Sequence, residues 1–235
     1  AAVTATGPVP PLPVRSTLKW SYGVMTCGAL VYEHVGTEPH AYMKSKLVYT
    51  DKQPRRDTLL PRTLASLRLA GFPEPRLFVD GAKDDAEWRA FGLECTFRWP
   101  AVRTFGNWVL ALWELYLREP NADRYAIFQD DFVTYPNLRA YLDSCPYPEK
   151  GYLNLYTFPS NNYAALWENP DIRKKLPAPP AEWKGGWHRS RQNGKGAVAL
   201  VFNREAVQVV LSNRSNIVSR PTDPWGWQRV DGIRA

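Results

Sequence analysis

The chain has 235 residues, 44% of them hydrophobic and 13% aromatic, enough for one large α/β domain or two small ones with a substantial core. No run of about 18 apolar residues is present, which excludes a transmembrane helix of the usual kind. The net charge is +7, and it is uneven: residues 173–235 carry 12 basic and 4 acidic side chains, whereas residues 1–172 carry 18 and 19.

Residues 1–15 are rich in Ala and Pro and read as a flexible arm rather than a signal peptide. Trp20–Cys27 alternates weakly and predicts a first strand. Gly28–Gln53 has no clean period, with an extra strand at Lys46–Tyr49. Asp57 or Thr58 is placed to cap a helix. Pro61 falls in its first turn, Leu60, Leu64 and Leu67 form its inner face, and Gly71 is its stop. Arg76–Asp80 is then a strand closed by an Asp80-Gly81 turn, so strand, helix and strand make a parallel βαβ unit. A polar helix or turn at Lys83–Phe91 and a strand at Glu94–Phe97 follow. Thr104 can cap the next helix, in which Phe105, Trp108, Val109, Leu112, Leu115 and Tyr116 share one face.

Tyr125-Ala-Ile-Phe128 is an apolar run that suits a buried strand, and it leads through Gln129 into the adjacent carboxylates Asp130 and Asp131. In an open α/β sheet, ligands bind at that end of the strands. Two neighbouring acids repel each other and need compensation. A hard divalent cation such as Mg²⁺ or Mn²⁺ supplies it, held by one or two carboxylates and by substrate phosphates. A solvated turn before Pro136 is the plain alternative. Further on, Asn137–Asp143 predicts a short helix, Gly151–Tyr156 a strand, Ala197–Phe202 a buried strand and Arg204–Leu211 a helix. Thr157–Lys195 is a long irregular stretch rich in Pro, Trp, Asn and Gly. The three cysteines, Cys27, Cys95 and Cys145, are too few for a disulfide framework and predict a reducing, cytoplasmic setting.

Gly106-Asn107-Trp108, the helix after it, and Phe128-Gln129-Asp130-Asp131 together resemble the centre of GT-A-type glycosyltransferases, in which a DXD motif ends a strand. Gln129 stands where many members carry the first acid, so Asp131 is the stronger metal candidate and Asp130 the second. The resemblance implies an α/β, GT-A-like (Rossmann-like) fold. Its mostly parallel sheet is flanked by helices, with long C-terminal loops. Residues 16–235 then form one domain, with 16–135 binding a nucleotide sugar and 136–235 the acceptor. It further implies that Thr26 and Asp80, at the ends of the first two strands, contact the nucleotide, that Asn107 lies near its diphosphate, and that His188 is an added metal ligand. Asp80 reads equally as a turn residue, and Asn107 as a capping residue.

Arg55 and Arg56 suit bidentate phosphate contacts, and at a helix start they oppose the positive end of the dipole, a hint of a nearby anion. A solvated helix start is their other reading. Arg189, Arg191 and Lys195 are placed to neutralise a leaving diphosphate. Transfer with inversion needs a general base, for which Asp223 is preferred over Asp231. Trp225 and Trp227 suit stacking on the acceptor. The expected activity is metal-dependent sugar transfer from a UDP-sugar to a hydroxyl, with DNA carrying a hydroxymethylated base, a glycan or a small molecule as acceptor. Two other readings stay open: a non-catalytic nucleic-acid-binding module, and a nucleotidyltransferase or Mg²⁺ nuclease built on Asp130 and Asp131.

Overall fold

A strand that is apolar at consecutive positions must be covered on both faces. Tyr125–Phe128 and Ala199–Phe202 are such runs, and every residue of each is buried. They belong to a computed structural model that describes residues 18–28, 30–33, 46–49, 55–82, 86–145, 147–148, 151–155 and 198–212. In chain order its elements begin with β1 (Trp20–Cys27), β2 (Leu30–Glu33), β3 (Lys46–Tyr49), α1 (Leu60–Ala70), β4 (Arg76–Asp80), α2 (Ala86–Arg89) and β5 (Cys95–Arg98). Then come α3 (Arg103–Arg118), β6 (Arg124–Gln129), α4 (Leu138–Ser144), β7 (Leu153–Asn154), β8 (Ala199–Asn203) and α5 (Arg204–Ser212).

Six strands form one sheet in the order β5-β4-β1-β6-β8-β7, and β2 and β3 form a separate antiparallel pair. β5, β4, β1 and β6 are parallel, while β8 is antiparallel to both of its neighbours. The α/β class and the mostly parallel sheet flanked by helices are therefore as predicted. Among the described residues, no helix is long and apolar enough to cross a membrane.

Successive strand residues point to opposite faces, and the core divides accordingly. Val24, Leu77, Val79, Ala126, Phe128, Ala199 and Val201 join Leu60 and Leu67 of α1 and Leu142 of α4 on one face. Met25, Phe78, Tyr125, Ile127, Leu200 and Phe202 meet Trp108, Leu112 and Leu115 of α3 and Val207 and Val210 of α5 on the other. The placement of helices follows from chain direction. Going from β1 through β4 to β5, the chain steps one way across the sheet, and α1 and Trp88 of α2 pack on one face. Going from β5 to β6 it steps back, and α3 packs on the opposite face. A constant crossover hand requires this switch.

Element boundaries differ from the expectations in physical detail. A π-helical turn, Arg55–Leu59, runs straight into α1, so Asp57 and Thr58 lie inside the spiral and no side chain caps α1 at Leu59. Pro61 does occupy the first turn of α1, and Gly71 does end it, in the left-handed region at φ 97°. Thr104 lies within α3 rather than capping it, and Val102 takes the cap position without a side-chain bond. β7 has two residues, shorter than the predicted strand at Gly151–Tyr156.

The edge of the sheet is tied by one phenol. The Tyr147 hydroxyl accepts the Asn203 amide at 2.9 Å and lies 2.9 Å from the Gly151 carbonyl and 3.3 Å from that of Val201. Its ring packs under the Arg124 guanidinium, 4.6 Å from the ring centroid. Burial pushes this phenol above its ordinary range, outweighing the Asn203 amide and Arg124, which act the other way. Tyr147→Phe removes the hydroxyl and is expected to cost about 1–3 kcal/mol, at about 2–4 °C of Tm per kcal/mol. The pH dependence has a definite sign. A phenol raised in the folded state contributes fully below its unfolded pKa of about 10 and is lost as pH rises past it. The gap in Tm between wild type and Tyr147→Phe should therefore narrow above pH ~10, which calorimetry across that range checks.

Candidate functional site

Taken as strands one to four, β1, β4, β5 and β6 lie in the order three-two-one-four. The strand order thus reverses between β1 and β6, and the carboxyl ends of those two strands mark the crevice where open α/β sheets bind ligands. Thr26 lies at the end of β1, and Asp130 directly follows β6. The structure brings these two predicted residues together: the Thr26 hydroxyl donates to an Asp130 carboxylate oxygen at 2.6 Å.

Asp130 is 1% exposed, and a buried carboxylate is costly unless it is hydrogen-bonded. Its backbone is equally engaged. The amide donates to the Met25 carbonyl of β1 at 3.0 Å, and its carbonyl accepts the Thr63 hydroxyl of α1 at 2.6 Å. One residue thus joins β1, β6 and α1. Asp131, one step further, is exposed. The adjacent acids, read together in the sequence as a pair, face different surroundings.

The chain after Asp131 is strapped to α1. Ser66 donates to the Thr134 carbonyl at 3.0 Å and accepts the Thr134 amide at 2.7 Å, and the Asn137 amide donates to the Leu69 carbonyl at 3.0 Å. Thr63, Ser66 and Leu69 recur at i, i+3 and i+6 along the helix, so about two turns hold one strand exit. Sequence reasoning missed Thr63 and Ser66. The available signal was a pair of small hydroxyl residues between the buried Leu60 and Leu67, where a solvent face would carry charge.

The other predicted residues are placed as follows. Asp80 is buried and accepts the Val102 amide on Oδ1 at 2.8 Å, so its carboxylate serves the start of α3. Its carbonyl accepts the Gly28 amide at 2.7 Å. A Cβ on Gly28 would lie 2.5 Å from that of Ala82, so the two strand exits pass too closely for any side chain there. Asn107 is 1% exposed, and both ends of its amide are taken: Nδ2 donates to the Phe78 carbonyl at 3.0 Å, and Oδ1 accepts from Arg98 Nε at 2.7 Å. The structure thus directs the Asn107 amide to the sheet and to Arg98 rather than to a diphosphate. Its helix position faces the sheet, not the carboxyl edge. Arg98, which the sequence reading passed over, continues the network to Glu114 at 2.7 Å.

Arg56 is paired with Asp57 and Glu87 and lies over the Trp88 ring at 5.9 Å. Two carboxylates already neutralise it, which accounts for a cation at a helix start without invoking an anionic ligand. Arg55 lies in the π-helical turn, and its side chain is outside the described residues. His188, Arg189, Lys195, Asp223, Asp231, Trp225 and Trp227 also lie outside them.

A closed metal cage would need several ligating side chains, and no group of three or more His, Cys, Asp or Glu is assembled among the described residues. An exposed carboxylate beside a fixed one suits a different shell, in which water and substrate phosphates complete the coordination of Mg²⁺ or Mn²⁺. No protein-family model matches the chain, and no curated protein matches it. Fold alone hosts many activities, so the case for function rests on this edge of the sheet.

Thr26→Val keeps the shape of the side chain but removes the donor to Asp130. It is expected to lower stability by about 1–3 kcal/mol, whereas Thr26→Ser, which retains the hydroxyl, should recover most of the loss. Urea unfolding of both variants checks this. Equal midpoints for Thr26→Val and wild type would show that the bond holds nothing.

Proposed function

We propose that this chain is a metal-dependent glycosyltransferase that takes a sugar from a nucleotide sugar, a UDP-sugar in the simplest case, and passes it to a hydroxyl acceptor. The observation that carries this reading is the joint between the ends of β1 and β6, which fixes Asp130 inside and leaves Asp131 exposed at the point where the strand order reverses. Nucleotides bind outside such a point in open α/β sheets. A divalent cation, when bound, supplies positive charge to a departing diphosphate.

In this reading Asp131 holds the cation, and Asp130 holds the turn that presents it. Thr63 and Ser66 keep the chain on either side of Asp131 attached to α1. The resulting carboxylate is presented without the entropy of a free loop, which favours binding. Arg189 and Lys195 are proposed to meet the diphosphate, His188 the metal, and Asp223 or Asp231 the acceptor proton, on the strength of the sequence resemblance alone.

Thermal unfolding with UDP and UDP-glucose, with and without Mn²⁺, tests the donor site. A ligand at a hundred times its Kd should add about 2.7 kcal/mol, a rise of roughly 5–10 °C for a chain of this length. The rise is expected only when metal and nucleotide are both present. Asp131→Ala, an exposed change worth at most about 0.5 kcal/mol in stability, should abolish that rise while leaving the unliganded Tm in place. A Tm unmoved by every nucleotide would leave Asp130 and Asp131 as a structural turn and favour a nucleic-acid-binding module. A nucleotide response that persists in Asp131→Ala would remove the carboxylate from the site.

A further inference from the structure

The strap that follows Asp131 has two sides. Phe132 is 6% exposed and stacks on Phe128, 5.5 Å between centroids, and Thr134 is bonded to Ser66 through both its amide and its carbonyl. The alternate residues face out: Asp131 is exposed, Val133 is 58% exposed and Tyr135 is 87% exposed. Asp131 lies in the turn closed by the Phe132 amide on the Gln129 carbonyl, and an exposed aliphatic group and an exposed aromatic ring follow it, so the three make one short exposed row beside the candidate metal site.

We propose that this row is a ledge for the acceptor, and that the acceptor is a neutral saccharide. The inference rests on the sugar-transfer reading and gives it an acceptor class. The chemistry matches on two counts. An exposed phenol ring with an aliphatic neighbour gains by covering the C–H face of a sugar. Asp131–Asn137 carries one acid and no base, the wrong sign for the phosphates of a nucleic acid. The backbone bonds to α1 hold the row in place before any ligand arrives, so little ordering is left to oppose binding.

The test is calorimetric titration of the full chain with chitotetraose, cellotetraose, maltotetraose and xylotetraose, and separately with the oligonucleotide dT8, in the absence of UDP and Mn²⁺. At least one tetrasaccharide is expected to bind. Its affinity should fall at least tenfold in Tyr135→Ala and return in Tyr135→Phe, which keeps the ring. Tyr135→Ala should keep its Tm within about 1–2 °C of wild type, as an exposed change does, so that lost binding is not lost folding. Failure of all four sugars to bind would overturn the ledge, as would undiminished binding in Tyr135→Ala. Binding of dT8 that depends on Tyr135 would overturn it in favour of a nucleic-acid surface. The donor test reads UDP and Mn²⁺ and this one reads neither. A nucleotide response without sugar binding therefore sinks the ledge alone. Sugar binding without a nucleotide response keeps the ledge and sinks the transferase.

Discussion

A buried carboxylate sets the geometry of the carboxyl edge. Asp130 reaches 1% exposure, and burying a charged group is costly unless hydrogen bonds replace the water it loses. The Thr26 hydroxyl supplies one such bond to the carboxylate, and the Asp130 backbone separately donates to the Met25 carbonyl and accepts the Thr63 hydroxyl. The consequence is mechanical. β1 and β6 are already neighbours in register, Met25 against Gln129. The additional bonds carry that register past the end of the ladder and extend it to α1. The turn that presents Asp131 is held from three sides.

From that joint the order propagates outward along α1. Three hydroxyl or carbonyl groups, at Thr63, Ser66 and Leu69, receive the chain between Asp130 and Asn137. A loop next to a ligand site is ordinarily among the less stable parts of a fold. Here its backbone groups are paired with a helix whose own Leu60 and Leu67 are fully buried. The strap is thus anchored through the Thr134 backbone on Ser66 and the Phe132 ring on Phe128, while the side chains of Val133 and Tyr135 are exposed.

Much of the sheet was legible in the sequence because its central strands are covered on both faces and read as continuous apolar runs, as Tyr125–Phe128 and Ala199–Phe202 do. The helices were legible by period, and Gly71 marked a stop through its backbone freedom. The candidate site was legible only in part. The acids after β6 and the threonine at the end of β1 were found, but not that one would bond to the other, since 104 residues separate them. Thr63 and Ser66 escaped because hydroxyl residues inside a helix read as neutral filler until a partner chain is laid against them. The surroundings of Asn107 were hidden for the opposite reason. Near a helix start it reads as a cap or a ligand contact, and its burial between Phe78 and Arg98 is a tertiary fact. Arg56 looked available because Glu87, 31 residues on in the sequence, has no local pattern that pairs it.

The division between the two acids also bears on how a metal is held. In the sequence they are equivalent and mutually repulsive, and a cation between them is the natural remedy. The fold applies another remedy first, placing one carboxylate inside with a hydroxyl donor and the other in solvent, where the dielectric screens it. The repulsion therefore no longer demands a metal, and the case for one rests on what Asp131 faces. A single exposed carboxylate binds a divalent cation weakly by itself, and a substrate diphosphate would provide the missing oxygens. On the proposed reading, such a site would take up metal and nucleotide together, with little affinity for either alone. Coupled uptake would then follow from Asp130 being engaged by Thr26, because a carboxylate already committed to a protein donor offers less to a cation.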